Sequence, residues 1–312
     1  MANLGYIQLL RICNQKCLFC SNPENSRVID IGEAREQVLE LKRLGYEGVI
    51  FTGGEPTMYE PLPQIVAFAA ENGVEPRIIP NGQLLAEAAL MKRLKAAGLA
   101  LIHVSLHSSR GEVQDQLTGT AGSFKNILKT LSNAGRLGVS VDINTVINSS
   151  NAGHLHETAA FVVKRFPFVT HFVWNNIDPR MNRVAENPGT VAQPPQFELS
   201  LWKAMRLLDA SGKTFRVERV PLCYMTDFAH CSTETRKIVK GEERLVNFLD
   251  DKGQVRQTDF VHGKAECCAL CRYDGICAGM YAMGEWYEPG CLYPLFLDPE
   301  AVRSRVASGG GG

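Results

Sequence analysis

Three cysteines, Cys13, Cys17 and Cys20, form a C-x3-C-x2-C hook in Arg11-Ile-Cys-Asn-Gln-Lys-Cys-Leu-Phe-Cys20. Thiolates spaced this closely can converge on one metal centre. A four-iron cluster has four iron corners, and the next cysteine is Cys223, so a cluster on these three would keep one iron open. An open position is where a substrate can ligate, as in catalytic rather than structural metal sites. Zinc is the rival, although a closed zinc site asks for four ligands, often from two paired hooks. No charged-then-apolar leader opens the chain, which points to a reducing, cytoplasmic setting and away from a disulfide.

The other cysteines repeat the theme. None lies between 21 and 222, and seven follow between 223 and 291. Cys268, Cys271 and Cys277 make a C-x2-C-x5-C core, and the distant Cys223 would complete four ligands for a second cluster or a zinc ion. Cys231, Cys267 and Cys291 are left over, and any of them could replace Cys223 or Cys268.

These groups need a scaffold. A chain of 312 residues suffices for one barrel-sized domain with an extension, or for two domains. Its 33 basic and 33 acidic residues balance to +0 without a like-charge run, so neither a nucleic acid nor an anionic membrane is expected as partner. No apolar stretch reaches the ~18 residues of a membrane span.

Strand-like runs at 6–12, 48–52, 74–79, 99–106, 139–147 and 169–174 alternate with helix-patterned runs at 31–44, 62–72, 84–97, 123–137 and 151–165. That alternation predicts an α/β fold with a parallel sheet and helices outside, and ligand-handling residues at the C-terminal strand ends. Those ends carry the hook, Gly53-Gly54-Glu55-Pro56, Asn81-Gly82, Ser105 and His107, Asn144, and Trp174-Asn175-Asn176. Paired glycines let a backbone approach a ligand, and Glu55 can accept from an ammonium, although Gly-Gly-Glu-Pro by itself is just a turn. A helix at 197–208 would close a partial (β/α)6 TIM-like barrel whose mouth the rest must cover. The expected division is 1–211 for the barrel, 212–307 for a cysteine-rich extension and 308–312 for a flexible Gly tail.

The hook, with Phe19 just before its last cysteine, and Gly53-Gly54-Glu55-Pro56 after the second strand together resemble the radical S-adenosylmethionine (SAM) family. The resemblance implies a [4Fe-4S] cluster on Cys13, Cys17 and Cys20 whose open iron is chelated by the amino and carboxylate groups of SAM. The reduced cluster then breaks a carbon–sulfur bond, giving methionine and a 5′-deoxyadenosyl radical that abstracts hydrogen from a substrate. Gly53, Gly54 and Glu55 match the family's motif for the SAM amino group. Ser105, His107 and Asn144 fall where the family places polar contacts to the ribose or carboxylate, and Phe19, Asn81 and Trp174 join the cofactor-binding set. No residue is assigned a catalytic role. An external donor such as flavodoxin or ferredoxin would supply the electron.

The C-terminal cysteines are similar to the SPASM and twitch extensions that carry auxiliary clusters. The longer form has a further cysteine where this chain has Tyr281, which favours one auxiliary [4Fe-4S] cluster, on Cys223, Cys268, Cys271 and Cys277. The implied chemistry is oxidative, a dehydrogenation or crosslinking of a peptide or small molecule. Redox-neutral epimerisation, rearrangement or decarboxylation is the alternative, and a non-catalytic metal-binding scaffold a more distant one. Because the first strand starts within a few residues of Met1, any leader peptide is expected to be recognised in some way other than by an N-terminal domain, or by a partner, which favours a small molecule or a separate recognition protein.

Overall fold

The computed structural model describes residues 4–22, 25–180 and 182–309. Seven strands follow one another with helices between: β1 (Leu4–Leu10), α1 (Ile31–Arg43), β2 (Gly48–Gly53), α2 (Leu62–Glu71), β3 (Glu75–Ile78), α3 (Ala88–Ala96), β4 (Leu101–Ser105), α4 (Gly111–Thr118), α5 (Ser123–Leu137), β5 (Ser140–Ile147), α6 (Leu155–Arg165), β6 (His171–Asn176), α7 (Arg183–Glu186), α8 (Pro194–Ala210) and β7 (Thr214–Glu218). Then come α9 (Thr233–Lys240), β8 (Arg244–Asn247), β9 (Gln254–Gln257) and α10 (Pro299–Ala307).

The strands make one sheet in the order β7-β6-β5-β4-β3-β2-β1-β8-β9, parallel throughout except for the antiparallel β8–β9 hairpin. The first eight strands therefore follow the cyclic order of a β/α barrel, with the sheet left open between β7 and β8. Glu218 and Arg244 meet across that seam at 2.9 Å. This is the parallel α/β, TIM-like architecture expected, with three strands beyond the six read from the sequence. Those three lie in 212–307, the segment expected to be a separate extension. β8 is a four-residue Arg-Leu-Val-Asn run with little β-branching, too short and mixed to stand out from a loop.

Register explains the two faces. Val104, Ile143, Phe172 and Phe215 align across β4 to β7 on the helix-facing side, all buried in the core. On the opposite face, His103, Asp142, His171 and Thr214 align, followed by Ser105, Asn144, Val173 and Arg216. His103 Nδ1 lies 3.1 Å from Asp142 Oδ2, and His171 Nδ1 lies 2.7 Å from Thr214 Oγ1.

Helices cover the apolar face through stripes at three- and four-residue spacing, such as Ala34, Val38 and Leu41 in α1. Asp30 caps α1 by accepting from Gly32 N, and Gly138 ends α5 in the left-handed conformation at φ 63°. Among the described residues no helix is long and apolar enough to cross a membrane. Of the expected Gly tail, residues 310–312 lie outside the described residues.

Candidate functional site

The hook leaves β1 at its C-terminal end and is clipped on both sides by backbone hydrogen bonds. Lys16 N and Leu18 N donate to Thr118 O and Leu117 O at the end of α4, each at 3.0 Å. Opposite, Gly54 N donates to Leu10 O (2.6 Å) and Glu55 N to Ile12 O (2.9 Å). The glycine pair is needed for this second clip. A Cβ on Gly53, whose φ is +133°, would lie 2.1 Å from Leu10 O, and one on Gly54 would lie 2.1 Å from Ile12 O. The absence of side chains here lets the backbone approach the stem of the hook closely.

Within the hook, backbone amides point at sulfur: Gln15 N lies 3.4 Å from Cys13 Sγ and Asn22 N lies 3.4 Å from Cys20 Sγ. Asn81, beyond the end of β3, reaches Asn14 Oδ1 (2.7 Å) and Cys13 Sγ (3.8 Å) through Nδ2. Burial and then the neighbouring Cys20 and Cys13 thiols push Cys17 up to about 12. Thiols that hold their protons so tightly become ligands when a cation displaces those protons. Among the described residues, no three His, Cys, Asp or Glu side chains are grouped tightly enough to share one metal ion. A multi-iron cluster makes no such demand, because each thiolate binds a different iron.

Glu55 is buried, and its carboxylate accepts from Thr57 N (3.1 Å), from the Thr57 hydroxyl and from Asn81 N (2.7 Å). Burial outweighs these bonds and raises its pKa to about 7. The carboxylate so ties the end of β2 to the end of β3 beneath the hook. His107 is buried at the end of β4, its Nδ1 accepting from Val146 N (3.2 Å), and burial holds it neutral down to about pH 4. Its ring meets that of Phe19 edge-on, with centroids 4.7 Å apart. Ser105 is paired in register with Asn144, whose Oδ1 accepts from Asn175 Nδ2 at 2.6 Å.

Trp174 is a correction. β6 runs from His171 to Asn176, not 169–174, so Trp174 is inside the strand rather than at its end. Its side chain is buried in the helix-facing core, stacked 6.4 Å from Phe172 and edge-on 5.9 Å from Phe215. Asn175 takes the rim position instead. Periodicity alone could not set the strand end to within two residues.

At the C-terminal site, Cys223, Cys268, Cys271 and Cys277 line one cavity, together with Lys264, Tyr293 and Leu295. Leu295 N donates to Cys271 Sγ and Gly279 N to Cys277 Sγ, both at 3.3 Å. Burial raises the Cys277 thiol, against the pull of its backbone hydrogen bonds and then of the Lys264 ammonium, and burial pushes Cys223 up to about 12. The other three cysteines do not line this cavity: Cys231 lies 3.4 Å from His230 Nε2, Cys267 donates to Leu292 O, and Cys291 follows its own turn. Four sulfur donors around one cavity, two of them met by backbone amides, fit an iron–sulfur cluster.

Sequence reasoning passed over the polar frame. Arg11 and Asn22 flank the hook in the sequence, a signal that was available, whereas Asp250, Arg183 and Ser123, which also meet the hook segment, are remote from it.

Comparison with known proteins agrees with this geometry. The radical SAM superfamily model matches residues 7–162, half of the chain. Fe-coproporphyrin III synthase from Methanosarcina barkeri is 33% identical over 147 residues, 46% of this chain and 36% of that protein. PqqA peptide cyclase from Granulibacter bethesdensis is 32% identical over 152 residues, 47% of this chain and 40% of that protein. The matches thus span well under two-thirds of either relative. Native anSMEcpe with bound AdoMet has the same fold, with a TM-score of 0.65 at 14% identity over 98% of this chain and 95% of that one. With the family model covering half its length and the cysteine hook inside the matched span, this chain belongs to the radical SAM superfamily.

Proposed function

We propose that this chain is an enzyme that holds a SAM-binding [4Fe-4S] cluster on Cys13, Cys17 and Cys20 and an auxiliary [4Fe-4S] cluster on Cys223, Cys268, Cys271 and Cys277, and that it oxidises a peptide or small-molecule substrate. When bound and reduced by an external carrier of the flavodoxin or ferredoxin kind, the first cluster supplies the electron that cleaves SAM to methionine and a 5′-deoxyadenosyl radical, which takes a hydrogen atom from the substrate. The chain's own residues prepare that site. The Gly53-Gly54 clip and the end of α4 hold the hook from two sides, so the thiolates are positioned before any cofactor arrives. Phe19 and the uncharged ring of His107 pack edge-on beside it. Asn144, three residues inside β5 rather than at its end as expected, and Asn175, near the end of β6, are hydrogen-bonded to each other and offer amide groups to a polar ligand.

The observation that carries the oxidative reading is the convergence of Cys223 with Cys268, Cys271 and Cys277 on one cavity. Loss of one hydrogen atom leaves a substrate radical, which reaches a closed-shell oxidised product only by giving up one further electron and a proton. A cluster held by Cys223, Cys268, Cys271 and Cys277 would supply an acceptor for that electron, and the proton would go to solvent. Both a tetrapyrrole enzyme and a peptide cyclase stand among the relatives, which supports a choice between small molecule and peptide without making it.

The first test is iron and sulfide per chain after anaerobic reconstitution, with about eight of each expected for two clusters and about four for one. Deuterium tracing on the substrate then separates the outcomes: an oxidative enzyme leaves the abstracted deuterium in 5′-deoxyadenosine, and a redox-neutral one returns a hydrogen to the product. Four irons with returned hydrogen would replace this reading by redox-neutral chemistry.

A further inference from the structure

The two ends of the hook are joined by one side chain. Arg11, two residues before Cys13, is 3% exposed, and its guanidinium donates to Asn22 Oδ1 at 2.9 Å. Asn22, two residues after Cys20, donates through Nδ2 to Arg11 O (2.8 Å) and through its amide to Cys20 Sγ (3.4 Å). The remaining arm of Arg11 pairs at 2.8 Å with Asp250, 239 residues away in the turn of the β8–β9 hairpin. That hairpin lies outside the span matched by the family model, and it adds to the sheet beside β1, the strand from which the hook emerges.

We infer that Asp250 is a positioning residue for the SAM-binding cluster: by pairing with Arg11 it locks the Arg11–Asn22 bracket that closes the hook and aims the Asn22 amide at Cys20. The inference rests on the cluster assignment made above. A buried guanidinium without a carboxylate partner is costly, so loss of Asp250 drives Arg11 toward water. Asn22 then loses its bond to the guanidinium, one of the contacts that place its amide on the sulfur. Partners that orient metal ligands in this way commonly change metal affinity when removed. Asp251, next in the chain, supplies an internal control, because its contact with Arg27 is long (3.4 Å) and exposed.

The test uses the reconstituted full chain in four forms: wild type, Asp250→Asn, Asp250→Glu and Asp251→Asn. Iron release to a chelator is followed together with the electron paramagnetic resonance spectrum of the reduced, SAM-bound cluster. Asp250→Asn is expected to release the hook's iron about tenfold faster and to shift that spectrum. Asp250→Glu and Asp251→Asn should stay within about twofold of wild type. Hydrogen exchange across residues 11–22 in metal-free protein should accelerate in Asp250→Asn alone. Wild-type behaviour of Asp250→Asn would overturn the inference, and so would an equal effect of Asp251→Asn, which would assign the loss to the turn as a whole. A Cys17→Ala chain that keeps its full iron content would instead overturn the cluster assignment, while exchange in the metal-free protein still reads the bracket.

Discussion

The Phe19 ring stands edge-on to the imidazole of His107, with centroids 4.7 Å apart and planes at 78°. One partner belongs to the cysteine hook and the other to the end of β4, so the contact joins a loop built for chemistry to the sheet that must carry it. Such pairs contribute about 1 kcal/mol beyond their buried area. Phe19→Ala should therefore lower chemical stability by about 2 kcal/mol or less, since Phe19 is only half-buried, yet should speed iron loss from the hook markedly. Equal iron retention in wild type and variant would show that the ring does not brace the hook.

Gly54→Ala tests the clip behind the hook. The added methyl would sit 2.1 Å from Ile12 O, against a backbone that cannot turn aside. The strand end or the hook stem must move, at a cost of at least ~2 kcal/mol. Denaturant midpoints and iron content should fall together. Gly290→Ala, where nothing lies within 4 Å of the new methyl, is the matched control and should leave both unchanged.

Removing one auxiliary ligand should separate the two metal sites. Cys277→Ala is expected to lose about four irons and keep about four, with SAM cleavage to 5′-deoxyadenosine persisting and product formation stopping. Cys231→Ala, which removes a thiol that does not line the cavity, should keep the full iron content. A loss of iron on Cys231→Ala would place that thiol among the ligands after all.

A pH dependence of stability follows from His171. Burial is the main cause that lowers its pKa from 6.5 to about 4 in the folded chain. In the unfolded chain it takes up a proton near pH 6.5 while the folded chain refuses one. Lowering the pH from about 6.5 to about 4 thus favours unfolding, by as much as ~3 kcal/mol from this residue. The contribution is fully present above pH 6.5. Urea unfolding across that range should show a smaller fall in His171→Asn than in wild type, and parallel curves would refute the assignment.

Much of the architecture could be read from local pattern. Val104, Ile143 and Phe172 announce buried strands because parallel strands covered by helices are apolar along one face, and Ala34, Val38 and Leu41 announce a helix because their spacing makes one stripe. Where local pattern is weak, the sequence does not mark the element. β8 and β9 are four residues each, stabilised by the neighbours they join rather than by their own composition, and β6 runs two residues past the end its apolar pattern predicts, which places Trp174 in the core rather than at the rim.

Residue type and spacing along the chain determined that Cys13, Cys17 and Cys20 form a hook and that Cys268, Cys271 and Cys277 form another, since ligands a few residues apart meet whatever the rest of the chain does. Tertiary structure alone decided that Cys223 lines the cavity of the second set while Cys231 does not, that Gly54 packs against the Ile12 carbonyl, and that Asp250 reaches back 239 residues to Arg11. The physical reason is the same in each case. A contact between distant residues is set by how strands register and helices pack around a shared core, and no local stretch of sequence contains that information.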